Sequence, residues 1–555
     1  MDEAGPPAHA ARRARDELKR QEWPTRRRLG RPPLVIVLPA LLVALMMLAP
    51  VGYLVLRASD AEGGVWELVF RARTAEILLN TATLAVAVAV TTVVIAVPLA
   101  WLTLRSDLPG RRLVATLATM PLVIPSYVGA WALIGALGPK GLLQQALEGP
   151  LGVDRLPDIY GFFGAWMALT LFTYPYVLLA VRASLRGLDP SLEEAARGLG
   201  YGAWRTFFTA TLPRLRPAMA AGGLLAALYT VSDFGVVALM RYDAFTRAIY
   251  VQYRAAFDRT YAATLALMLI GLALGLLWVE RRARGREVQY RVGMGAARRS
   301  TPVALGRWRW GALAFSGAVL LLALVVPLGV LVYWLATGLS AADAWDGVAQ
   351  AAINSAGVAA LAAVVTMAAA LPGAVLSARY GGRWVRVVEV FDHLGYALPG
   401  IVIALAFVFI GANYLPSLYQ TLPLLLLGYL VRFLPQATGA AATTLAQVSP
   451  RLEEAARTLG RSTLGAIREV TAPLAWPGIA GGMALVFLTV MKELPITLLL
   501  RPTGFETLAT EIWSATGTGS YARAAGPSLV LVLLSAVPTV LLVTRERRQR
   551  TGEAS

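Results

Sequence analysis

The sequence predicts an all-α integral membrane protein of about twelve transmembrane helices, arranged as two parallel six-helix repeats. Three observations predict it. The 555-residue chain is 57% hydrophobic and 15% charged, with a mean hydropathy of +0.60, whereas soluble domains average roughly 25% charged residues. Its apolar runs recur at lengths near the roughly 20 residues that cross a hydrocarbon core. Finally, LEEAARGLG at 192–200 returns as LEEAARTLG at 452–460, 260 positions on and without a gap. A match at a fixed period decides architecture before local propensity does.

The elements follow in order. Residues 1–32 form a basic tail carrying Arg12, Arg13, Arg15, Lys19, Arg20, Arg26, Arg27, Arg28 and Arg31. The apolar run from Pro33 to about Leu56 exceeds the roughly 7–15-residue core of a cleaved signal, so it reads as an uncleaved first span within 33–74. A first unit, 75–280, has spans centred near residues 91, 125, 171, 226 and 270. A basic linker, 281–310, precedes a seventh span near 324 within 311–349. The second unit, 350–545, has spans near 364, 400, 426, 485 and 535, and 546–555 is a tail.

Arginine-rich segments at 105–112, 182–216, 281–309, 379–386, 451–468 and 545–550 fall on one side of this scheme. The opposite segment 337–353 has two aspartates and no basic residue, although 241–259 departs from the trend with four arginines. The positive-inside rule then places both termini in the cytoplasm. The net charge of +18 is explained by these short segments and does not point to nucleic acid.

The repeat extends upstream. Asn80, Pro98 and Pro125 match Asn354, Pro372 and Pro399 at 274 positions, while Pro175 and Pro435 are 260 apart. The first unit therefore holds about fourteen extra residues, most naturally in the outer loop 138–158. An even number of spans between copies makes the repeats parallel, so both polar loops face the cytoplasm. Inverted repeats, common in secondary transporters, would separate them.

Each polar loop carries helix punctuation. Asp189 or Ser449 can cap, Pro190 or Pro450 suits the first turn, and Gly200 or Gly460 stops the helix. A second short helix is expected to end at Pro213 or Pro473. Glu193, Glu194 and Arg197, with Glu453, Glu454 and Arg457, read as exposed charges for a partner, while Ala195, Ala196, Ala455 and Ala456 permit close approach.

These residues resemble the permease subunits of ATP-binding-cassette importers. The family mark is Glu-Ala-Ala, a glycine four residues later and an apolar-Pro pair about a dozen residues beyond. Here it reads Glu194-Ala195-Ala196, Gly200 and Leu212-Pro213, then Glu454-Ala455-Ala456, Gly460 and Ala472-Pro473, with Ala472 where leucine is usual. The resemblance implies the type-1 permease fold, with each loop docking on one copy of a partner ATPase. It also implies a bacterial inner membrane and substrate delivery by an extracytoplasmic binding protein.

The chain itself lacks a phosphate-cradling Gly-Lys-Ser/Thr turn, because none of Lys19, Lys140 and Lys492 follows a glycine. It is thus expected to be a transport subunit with no cofactor of its own, ATP and magnesium residing on the partners. There is no cysteine, and His9 and His393 are the only histidines, so disulfides are excluded and an imidazole metal site finds little material.

Asp233 aligns with Glu493 at the 260-residue offset, and Lys492 lies beside it. Ionisable groups at membrane depth are costly and usually face a cavity or a partner. These three are candidates to line or gate a path; the bland reading is that Lys492 pairs with a neighbouring carboxylate and stabilises the bundle, or that the charges lie near an interface. Asp392 and His393 receive no role. Residues 232–245 and 492–513 look like the fused two-unit permeases of the ferric-iron uptake family, a likeness less specific than the docking loops because thiamine, polyamine, sulfate and phosphonate permeases share the architecture. A secondary transporter would have no use for two docking loops.

Overall fold

The computed structural model describes residues 32–59, 65–255, 259–283, 302–338, 345 and 347–551. The expected basic tail up to residue 31, most of the linker and residues 552–555 lie outside them, as do the side chains of Arg197, Asp392 and His393. Apart from turns and one isolated parallel bridge between Ser106 and Val303, the described residues are helical.

Helix α1 (Leu34–Ser59) precedes α2 (Ala72–Arg105), α3 (Arg111–Leu117), α4 (Ser126–Leu137) and α5 (Phe162–Gly187). Then come α6 (Pro190–Gly198), α7 (Leu212–Ser232), α8 (Phe245–Ala255) and α9 (Arg259–Ala283). The second half repeats the order: α10 (Gly306–Gly338), α11 (Val348–Arg379), α12 (Arg383–Ala397), α13 (Gly400–Tyr414), α14 (Leu422–Gln447), α15 (Pro450–Thr458), α16 (Ala472–Met491), α17 (Leu508–Gly517) and α18 (Tyr521–Thr551).

Eight helices among the described residues are long and apolar enough to cross a membrane. The other four expected spans are helical but, among the described residues, short, broken or charged near one end. Near residue 125 the chain bends by 102° between 111–123 and 126–151. Pro125 stands just before α4, as Pro399 does before the 15-residue α13. Proline has no N–H to continue a helix and disfavours helical backbone in the residue before it, so these apolar runs begin at their prolines and are not centred on them. The 21-residue α7 carries Arg214 and Arg216 near its start, and among the described side chains the apolar part of α18 is Tyr521–Ala536, its apolar sequence running on to Val543.

The extra residues of the first unit fall where the repeat offset requires. Ser126 and Phe162 are 36 positions apart, Gly400 and Leu422 only 22, and the excess holds the helix Leu142–Leu151. The matched prolines are interior in both copies: Pro98 and Pro372, Pro175 and Pro435, Pro217 and Pro477.

In each unit the long second helix packs against the fifth and seventh, α2 on α5 and α7, α11 on α14 and α16. The leading helices cross over. Helix α1 lies on α9 of the first unit and on α11, α12 and α13 of the second, while α10 lies on α4 of the first and on α18. One cluster of buried apolar side chains runs through both units. On α2, Ile77, Leu84 and Val88 point inward, while Leu79, Val86, Val90 and Val94 form an exposed apolar stripe. Such a stripe on a helix face seeks a non-aqueous surround.

Candidate functional site

The two polar loops fold alike. Helices α6 and α15 are each nine residues long and start at a proline. Asp189 accepts a hydrogen bond from the Ser191 amide through Oδ1 at 3.0 Å, whereas Ser449 makes no side-chain cap. Gly200 and Gly460 follow with φ of 83° and 85°. Beyond them, the Tyr201 amide donates to the Ala196 carbonyl and Arg461 to that of Ala456, both at 3.1 Å. This is the closure that a left-handed residue after a helix provides. It leaves Leu199 and Leu459 at the loop tips, 77% and 84% exposed. Glu194, Ala195, Glu454 and Ala455 are exposed beside them, and Ala196 and Ala456 are half-buried.

The first glutamate of each loop is turned inward, contrary to its expected exposure. Glu193 lies 3.6 Å from Arg105 Nε, and its Oε1 accepts from Thr211 Oγ1 at 3.1 Å. Glu453 pairs with Arg379 Nη2 at 2.8 Å and accepts from Thr471 Oγ1 at 2.7 Å. Arg105 Nη2 also donates to the Leu185 carbonyl at 3.0 Å, and Arg379 Nη1 to that of Val448 at 2.9 Å. The reason is local. Arg105 and Arg379 end α2 and α11 inside the fold, and a buried guanidinium needs a carboxylate and carbonyls around it.

Pro213 and Pro473 do not end the second short helix either. Segments 203–206 and 463–466 run through one π turn, Phe207–Thr211 and Ile467–Thr471, directly into α7 and α16. Each proline occupies the first turn of the next helix, where its missing N–H costs little.

Helices α7 and α16 end at a polar cluster. Asp233 Oδ2 accepts from Ser126 Oγ at 2.6 Å, its Oδ1 accepts from the Val236 amide at 2.8 Å, and Tyr229 donates to Ser126 Oγ at 3.1 Å. Lys492 Nζ donates to the Leu122 carbonyl at 2.8 Å; the expected pairing with a carboxylate does not form within 4.0 Å among the described ion pairs. Glu493 Oε1 faces the Ile496 amide at 3.4 Å and abuts Gly400. Asp233, Lys492 and Glu493 are all half-buried. The sequence reading missed Arg432, which donates to the Leu398 carbonyl at 2.6 Å and faces Glu493 electrostatically. Its signal was visible as a lone arginine within LPLLLLGYLVRFLP. Among the described residues no three His, Cys, Asp or Glu side chains are grouped to hold a metal ion.

The family model described as "Binding-protein-dependent transport system inner membrane component" matches residues 93–342 and 370–550. An Fe(3+)-transport system permease protein of Haemophilus influenzae is 33% identical over 521 residues, 92% of this chain and 98% of that protein. A molybdenum transport system permease protein of Escherichia coli is 32% identical over 197 residues, 34% of this chain and 85% of that protein. A ferric transport system permease protein of Actinobacillus pleuropneumoniae is 24% identical over 445 residues, covering 75% and 64% respectively.

Proposed function

The chain belongs to the family of binding-protein-dependent transport system inner membrane components, and from that premise we propose that it imports ferric iron. It is the permease subunit of an ATP-driven importer, a transport protein and not an enzyme, and it works with an ATPase and a substrate-binding protein. The similarity to the Haemophilus influenzae permease, which spans 98% of that protein, carries the iron reading.

Two ATPase copies dock, one on the face made by Glu194, Ala195, Ala196 and Gly200 and one on that of Glu454, Ala455, Ala456 and Gly460. The repeated loop geometry supports this pairing, because two equal knobs fit two equal grooves. Both termini lie in the cytoplasm with these loops. ATP and magnesium belong to the ATPase, and iron arrives on an extracytoplasmic binding protein. Asp233, Lys492 and Glu493 gate the path between the units. Their place at the ends of the helices that begin in the docking loops supports a link between ATPase closure and access.

The test is ATP-dependent ferric iron uptake by cells carrying this chain, against a Glu194→Lys/Glu454→Lys variant. Loss of uptake and of ATPase co-purification in the variant, at normal membrane levels, is the expected result. No uptake by either chain would remove iron. Molybdate would be tried next, since the relative that transports molybdenum matches one unit at 32% identity.

A further inference from the structure

We infer that Arg105 and Arg379 are positioning residues that make each docking loop move as one body with the helices reaching the polar cluster. The inference rests on the docking reading above and assigns an inner partner to the first glutamate of each loop.

The geometry is the same twice. One guanidinium at the end of the long second helix holds the docking-helix carboxylate, Glu193 or Glu453, and a carbonyl at the end of α5 or α14. That carboxylate also accepts from the threonine that opens α7 or α16. Four elements of each unit therefore meet on one buried ion pair, with Arg105 and Arg379 side chains both 7% exposed. The two arginines are 274 positions apart but their glutamate and threonine partners 260. The contact thus spans the change of register between the repeats and survives it.

What the clamp holds is a lever. Helix α7 starts next to Thr211 and ends next to Asp233; α16 starts next to Thr471 and ends next to Lys492 and Glu493. Twenty-one residues make about 31 Å of helix, so a rigid joint at one end displaces the polar cluster at the other. The paired partner surface, Glu194 and Glu454, lies on the outside of the same short helices. Adjacent glutamates then divide the work: the second meets the ATPase and the first passes the displacement inward. Coupling carried by such a packed network is a matter of two joined bodies, and loosening the joint decouples them without removing either surface.

The chain has no native cysteine, so spin labels report on it directly. Leu199→Cys at the loop tip and Val94→Cys on the exposed face of α2 give a label pair across the clamp, read in the complex with the ATPase, with and without vanadate-trapped ATP. Otherwise unmodified, the labelled pair should keep one narrow distance distribution in both states. Glu193→Gln/Glu453→Gln should broaden it and lower uptake per assembled complex about tenfold, with ATPase co-purification retained. Arg105→Lys/Arg379→Lys should broaden it less, because lysine keeps the charge.

A distribution that stays narrow in Glu193→Gln/Glu453→Gln would overturn the inference. Broadening accompanied by loss of the ATPase would also overturn it, since the pair would then be merely structural. Retained co-purification in Glu194→Lys/Glu454→Lys would instead sink the docking reading, and the label widths would still judge the clamp separately.

Discussion

Lys492 and Leu122, 370 positions apart, are joined by a 2.8 Å hydrogen bond from the ammonium to the backbone carbonyl. Leu122 lies in the 3-10 turn Met120–Val123, just ahead of Pro125, where the chain breaks direction. The second unit thereby pins the bend of the first. Lys492→Met should leave that carbonyl unpaired, costing about 1–3 kcal/mol, and should reduce uptake several-fold while ATPase co-purification persists. Lys492→Arg, which keeps an N–H donor, should stay near the parent chain. Thermal melting of the purified complex and uptake per complex are the two readings, and a melting point unmoved by Lys492→Met would remove the pin.

Glu493 sits against Gly400, and a methyl group on Gly400 would collide with its Oε1. Gly400→Ala should therefore displace the carboxylate from its place before Ile496 and opposite Arg432. Glu493→Gln keeps the oxygen but removes the charge. Both variants should lose most ferric iron uptake with assembly intact. If Gly400→Ala transports normally while Glu493→Gln does not, the charge matters and its exact placement does not.

The repeated LEEAAR stretch, the matched prolines and the fourteen-residue excess were legible because sequence offset reports them without any knowledge of packing. The direction of Glu193 was not. The partner that fixes it, Arg105, lies 88 positions upstream, out of reach of any local pattern. Glu193 read as an exposed charge for a partner, whereas its contacts are internal. Arg432 was overlooked because one charge barely lowers the hydropathy of an apolar run, although a charge at that depth is itself the signal. The continuation through Pro213 depends on a π turn, which no residue pattern announces.

Gly200 and Gly460 provide a cleaner test of the loop shape than any charge change. Both have left-handed backbone, and a Cβ on either would meet open space. Alanine is then opposed by backbone strain alone, about 1–2 kcal/mol. Gly200→Ala/Gly460→Ala should weaken ATPase binding by roughly that amount at each loop, and the Asn variants should recover much of it, since Asn tolerates this conformation better. Titration of the ATPase onto the detergent-solubilised chain measures the difference; equal affinities for Ala and Gly would mean that the loops do not need their turn.

The two loops should not be equally firm. At the base of the first, the Val303 amide donates to the Arg105 carbonyl at 2.8 Å, Asp107 N donates back to the Val303 carbonyl at 3.1 Å, and the Leu305 amide donates to Asp107 Oδ1 at 2.9 Å. Trp308 then meets Trp204 edge-on, with ring centroids 6.4 Å apart. Position 464, which aligns with Trp204, is a leucine, and among the described residues no isolated bridge of this kind meets the end of α11. The end of the inter-unit linker therefore braces the backbone of the residue whose side chain holds Glu193. Val303→Pro removes the first of these donors. A lost hydrogen bond of about 1 kcal/mol should speed amide exchange in 198–211 about fivefold, with 458–471 unchanged. Equal acceleration in both loops would mean that the brace acts on the whole bundle, and no acceleration that the linker only rests against the first unit.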